Sequence, residues 1–112
     1  MTDAVRTLIQ VPPSAARGSI VDIRATIGHP METGFRIDND GRTLPRNLIR
    51  RFSCHLDGQR VFAAELHAAM SANPYIAFAL RATASGTLSF RWEGDRGFSY
   101  TETRPLVVNG AT

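Results

Sequence analysis

The chain has 112 residues, 43% of them hydrophobic and 21% charged, which is ordinary for a soluble globular domain. One domain of this size buries roughly 65% of the surface exposed by its unfolded chain. Its 13 basic residues are all arginine, spread along the chain with Arg50-Arg51 the only adjacent pair, and a net charge of +3 without an aromatic-and-basic motif argues against a nucleic-acid binder.

Met1-Thr2-Asp3-Ala4-Val5-Arg6 has no charged lead followed by an apolar core, so no secretory signal is expected; taken alone, that points to the cytoplasm. No run approaches the roughly 20 apolar residues that span a bilayer. Val5, Thr7, Ile9 and Val11 alternate until Pro12-Pro13 ends the run. In Ser19–Ile27, Val21, Ile23, Ala25 and Ile27 share one face, the strict period of two of a half-buried strand. Asp40-Gly41 marks a turn inside a short excursion, Phe35–Leu44. Leu48–Leu56 and Gln59–Leu66 are joined by Asp57-Gly58, a strong hairpin signal. A short helical turn is expected around Leu66–Ser71. Asn73-Pro74 opens Tyr75–Ala82, Ser85-Gly86 opens Thr87–Glu93, and Gly94–Gly97 turns into Phe98–Thr103.

About seven strands at roughly 8–12-residue spacing predict an all-β domain, an immunoglobulin-like antiparallel β-sandwich spanning the whole chain. Leu88, Phe90 and Trp92 are predicted as one wall of the core, with Ile76, Phe78 and Leu80 as another. Val61 and Ala63 oppose Phe62, Ala64 and Leu66, while Tyr75, Ala77 and Ala79 oppose the Ile76 set. Apolar residues on both faces suggest a second cover, as at a protein contact.

The chemistry-bearing residues converge poorly. Cys54 alternates with Phe52 and Leu56, so the only thiol is expected in the core as a small hydrophobe. His55 points to the opposite strand face and is badly placed as its base. His29, His55 and His67 lack metal-ligand spacing, and no phosphate loop or nucleophile elbow is present. Accordingly no catalytic residue, metal site or cofactor is predicted. The odd segment is His29-Pro30-Met31-Glu32-Thr33-Gly34, which places four distinct chemistries between a proline and a glycine. Pro30 favours an extended His29, and Gly34 offers a positive φ. Two readings stand: a rigid recognition corner offering His29, Met31 and Glu32 to a partner, or a buried corner locking the sandwich.

The order of residues resembles the SoxZ family, one half of the SoxYZ sulfur carrier of bacterial sulfur oxidation. The matching features begin at Ile20 and centre on His29-Pro30-Met31-Glu32-Thr33-Gly34-Phe35-Arg36. Leu44-Pro45-Arg46-Asn47-Leu48-Ile49, Phe52-Ser53-Cys54 and Ser71-Ala72-Asn73-Pro74-Tyr75 follow. Ser85-Gly86-Thr87-Leu88-Ser89-Phe90-Arg91-Trp92 and Gly97-Phe98-Ser99-Tyr100-Thr101-Glu102 complete the series.

The resemblance implies an immunoglobulin-like sandwich and an obligate partner, SoxY. In that family the sulfur-carrying cysteine lies on SoxY, in a flexible Gly-Gly-Cys-Gly-Gly tail. This chain ends Val107-Val108-Asn109-Gly110-Ala111-Thr112, so Cys54 does not take that role. The expectation is a non-catalytic subunit that scaffolds SoxY and helps present the loaded arm to cytochrome and hydrolase components. The resemblance also implies export together with a signal-bearing SoxY, which replaces the cytoplasm by the periplasm. When isolated, the chain is expected to self-associate or to be unstable. Candidate protein-binding residues are His29, Met31, Glu32, Arg36 and Tyr75.

Two alternatives stay open. One is a SoxZ-like domain serving another periplasmic system, such as a quinoprotein dehydrogenase. The other is a metal- or thiol-dependent sulfur enzyme using Cys54 and the histidines. Arg36, Arg46, Arg50 and Arg51 flank the signature segment and are candidates for steering anionic sulfur groups or acidic partner surfaces. A plain solvated basic surface, with codon bias behind the missing lysines, is the alternative.

Overall fold

A computed structural model describes residues 5–66 and 72–110. Two antiparallel sheets form the sandwich. The first contains β1 (Thr7–Gln10), β3 (Ile20–Ile27) and β6 (Tyr75–Arg81), in the order β1-β3-β6. The second contains β4 (Ile49–Leu56), β5 (Gln59–Glu65), β7 (Gly86–Gly94) and β8 (Ser99–Leu106), in the order β5-β4-β7-β8. These are the seven strands expected from periodicity. Two further strands of two residues each, β2 (Ala15–Ala16) and β9 (Val108–Asn109), pair in parallel and tie the two ends of the fold. Elements that short carry no readable period.

The alternation places the core as predicted. Leu88, Phe90 and Trp92 on β7 are all fully buried, and Ile23, Ala25 and Ile27 on β3 face them from the other sheet. Phe52 on β4 is the centre of an aromatic cluster, with ring centroids 5.2 Å from Trp92 and 6.2–6.3 Å from Phe62, Phe78 and Phe90. Phe62 and Phe78 stack at 4.4 Å and so join β5 to β6 across the two sheets. Pairs of this kind contribute about 0.5–1.5 kcal/mol beyond their burial. Cys54 is fully buried beside them, and burial pushes its thiol up to about 12.

The turns follow their residues. Asp57 and Gly58 both adopt positive φ (48° and 84°), the backbone of a tight hairpin turn between β4 and β5. At the end of β7, Gly94 runs so close to the Leu48 carbonyl that any Cβ would overlap it. That approach lets the Asp95 N–H donate to the Leu48 carbonyl at 2.8 Å. A single 3-10 turn, Asp95–Gly97, then leads into β8. Strand β8 runs three residues beyond its expected end and includes Pro105, tolerated because β8 is an edge strand. Most of the helical turn expected around Leu66–Ser71 lies outside the described residues.

Candidate functional site

The segment after β3 folds back on the sandwich through long-range hydrogen bonds. The His29 N–H donates to Asn73 Oδ1 at 2.9 Å, and the His29 carbonyl accepts the Asn73 N–H at 2.7 Å. Asn73 does this from a left-handed backbone (φ 55°), which asparagine tolerates better than most residues. The imidazole is only 6% exposed and stands edge-on to Phe98, with centroids 5.5 Å apart. Its Nδ1 accepts the Met31 N–H at 3.0 Å, so the neutral ring carries its proton on Nε2. Among the described residues, that Nε2 has no partner. Burial lowers the His29 pKa, and the Asp95 carboxylate offsets part of the effect.

Met31 is also inward, 5% exposed, and its sulfur accepts the Ile49 N–H at 3.3 Å. It holds a positive φ of 53°, strained for a side chain of this type. Glu32 and Asn47 exchange two backbone hydrogen bonds of 2.9 and 2.8 Å, closing the base of the segment. The Glu32 carboxylate is gripped by Arg36, whose Nε lies 3.2 Å from both oxygens. That hydrogen bond holds the Glu32 carboxyl below its usual range. Gly34 takes the positive φ (93°) expected of it, against Arg46.

In the sequence Asp95 is legible only as part of the Gly94–Gly97 turn. Its Oδ2 accepts the Leu48 N–H at 3.0 Å, while Arg46 and Arg50 reach it at 3.2 and 3.3 Å. Partial burial raises its pKa, but the Leu48 N–H and the two guanidinium groups outweigh that and leave it lowered. Nothing local marks it, since Leu48 lies 47 positions away.

The structure thus gathers His29, Met31, Glu32 and Arg36 into one knot with Asn47, Asn73 and Asp95. His29 and Met31 turn inward, which is the geometry of a locking corner, and Arg36 turns out. Tyr75 lies elsewhere, on the solvent face of the three-stranded sheet, 54% exposed and opposite Thr26. Of the four arginines flanking the segment, Arg36 is engaged by Glu32, and Arg46 and Arg50 by Asp95. Arg51 lines a shallow depression with Glu65 and Glu93. Among the described residues, no three His, Cys, Asp or Glu side chains converge as a metal site.

Beyond the corner, residues 35–45 form a short ribbon standing off the sandwich. Ile37 pairs with Thr43, and the Leu44 N–H donates to the Arg36 carbonyl at 2.8 Å. The Asp38 carboxylate closes its turn by accepting the N–H groups of Asp40 and Arg42 at 2.9 and 3.0 Å.

Fold and corner together define an immunoglobulin-like sandwich whose distinctive chemistry is invested in shape and surface. The chain belongs to the SoxZ family: the family model for sulphur oxidation protein SoxZ matches residues 9–105. No curated protein matches at the level of sequence. Among solved structures, the chain is similar to a superoxide reductase (neelaredoxin) from Ignicoccus hospitalis, with TM-score 0.69 and 15% identity over 92% of this chain and 80% of that one. It is likewise similar to the sulfur carrier protein SoxY from Chlorobium limicola f thiosulfatophilum, with TM-score 0.65 and 16% identity over 92% of this chain and 78% of that one. At such identities the likeness shows the fold alone.

Proposed function

We propose that this chain is the non-catalytic subunit of a periplasmic sulfur carrier. It pairs with a SoxY-type chain and helps present that partner's cysteine-bound sulfur to cytochrome and hydrolase components. Membership of the SoxZ family over residues 9–105 carries this reading. The state of the only cysteine supports it. A sulfur-carrying thiol must reach solvent and ionise, and Cys54 does neither, being fully buried with its thiol pushed up to about 12. The sulfur is therefore carried on the partner. Export follows the partner too, as a folded complex using a signal on the SoxY-type chain.

Co-expression with the SoxY-type chain of the same organism, followed by size exclusion with mass determination, tests the pairing. A stoichiometric complex is expected; a chain that stays a stable monomer beside SoxY contradicts it. The absence of catalysis is tested by Cys54→Ser in a reconstituted thiosulfate-oxidation assay. Turnover is expected to persist, and its abolition with the fold intact would restore a catalytic role.

A further inference from the structure

The three-stranded sheet ends on β6, and among the described residues no strand pairs with its outer side. Natural sheet edges are blunted by shortness, proline, charge or bulges, which keep them from pairing with other chains. The other edges here follow that rule. β1 has four residues and runs into Pro12-Pro13, and β8 contains Pro105. β5 carries Arg60 and Glu65 and shifts register against β4 at Cys54/His55. β6, Tyr75-Ile76-Ala77-Phe78-Ala79-Leu80-Arg81, has no charge before its last residue, no proline and no shift against β3.

Its backbone asks for an extended strand. At the two ends of the β3–β6 ladder the Ile27 N–H donates to the Pro74 carbonyl and the Ala82 N–H to the Ser19 carbonyl. Hydrogen-bonded pairs alternate along an antiparallel ladder, so Ile76, Phe78 and Leu80 are the residues that bond to β3. Tyr75, Ala77, Ala79 and Arg81 therefore turn their N–H and carbonyl groups away from it.

The side chains choose which strand. The segment is self-complementary about Phe78, since Ala77 mirrors Ala79, Ile76 mirrors Leu80 and Tyr75 mirrors Arg81. A two-fold axis at Phe78 sets Ala77 against Ala79 of a second copy, and Tyr75 against its Arg81. In each of those pairs both residues have outward backbone groups, and the second sets a guanidinium beside an aromatic ring. The outer face agrees. Arg24 stands opposite Ala77 and Asp22 opposite Ala79, and all four are exposed. Across the axis one row becomes Arg24, Ala77, then Ala79 and Asp22 of the second copy. Opposite charges thus flank two small residues, over which the arginine stem can lie. The next row carries Leu8 and Tyr75, 63% and 54% exposed, toward Ile20 of the second copy, 56% exposed.

We propose that β6 is a pairing edge for a second copy of this chain, joining two three-stranded sheets into one across a two-fold axis at Phe78. The contact uses neither the His29 corner nor the outer face of the four-stranded sheet, and it stands independently of the carrier reading.

Sedimentation equilibrium over a concentration series measures self-association of the full chain, and binding of the SoxY-type chain is measured in parallel. The wild type is expected to be a dimer. Ala79→Pro removes an N–H that β3 does not use and is expected to weaken the dimer about 10-fold or more. Ala77→Lys/Ala79→Lys and Ala77→Glu/Ala79→Glu each set like charges across the axis. Both positions are exposed, so these two variants are expected to fold, as thermal melting checks. Each is expected to be monomeric alone, to form a mixed dimer with the other, and to bind the SoxY-type chain like the wild type. A wild type that stays monomeric across the micromolar range overturns the inference. So do lysine and glutamate variants that dimerise like the wild type, or whose mixture stays monomeric. Variants that lose the SoxY-type chain instead of the second copy also overturn it, and leave the carrier reading standing.

Discussion

His29 carries its proton on Nε2, because Nδ1 already accepts the Met31 N–H. Protonating the ring would make Nδ1 a donor facing another donor, inside a buried corner. Its pKa is accordingly lowered, chiefly by burial. The unfolded chain then binds a proton that the fold resists, so the neutral ring's contribution is complete above about pH 6.5 and is lost as pH falls below it. Asp95 shifts in the same direction as other paired carboxylates, and its effect belongs to more acidic solution. Thermal unfolding between pH 7.5 and pH 5 is therefore expected to show falling stability in the wild type and a flatter profile in His29→Gln. Equal slopes would mean that the imidazole is not held neutral. Asn73→Ala removes the acceptor for the His29 N–H and is expected to cost about 1–3 kcal/mol in denaturant unfolding, the range for stranding a donor of this kind.

The strands show which parts of this fold are legible locally. The alternation of Val21 to Ile27 and of Leu88 to Trp92 states directly which side faces the core, because burial of one sheet face imposes a period of two. The Asp57-Gly58 hairpin is legible for the same reason, since few residue pairs accept its backbone. The β2–β9 pair is not, because two residues show no period. The corner was half legible. Its shape was foreshadowed by Pro30 and Gly34, but the burial of His29 depends on Asn73 and Phe98, and that of Met31 on Ile49, all distant in sequence. Met31 in a left-handed backbone contradicts its residue type, and only the Ile49 N–H and the core explain why it is held there. Two substitutions test the element level by chemical or thermal unfolding. Phe52→Ala empties the centre of the aromatic cluster and is expected to cost about 3–5 kcal/mol. Gly94→Ala forces the end of β7 away from Leu48 and is expected to cost about 1–3 kcal/mol. A neutral Gly94→Ala would show that the close approach does not hold the Asp95 turn in place.

At the scale of the molecule, interior and surface divide the work. The interior takes the Cys54 thiol, the His29 imidazole and the Met31 thioether, groups that in another setting would suggest catalysis. The surface keeps the arginines, Tyr75 and the exposed side chains of Phe35 and Ile37. That division suits the carrier-subunit function proposed above. The segment His29–Gly34 joins the two: its first half locks onto the core, and its second half launches the ribbon into solvent. The most direct test is the mass of the assembly formed when this chain is co-expressed with the SoxY-type chain of the same organism. The account predicts a stoichiometric complex with little free subunit. A folded monomer that elutes alone beside SoxY would contradict it.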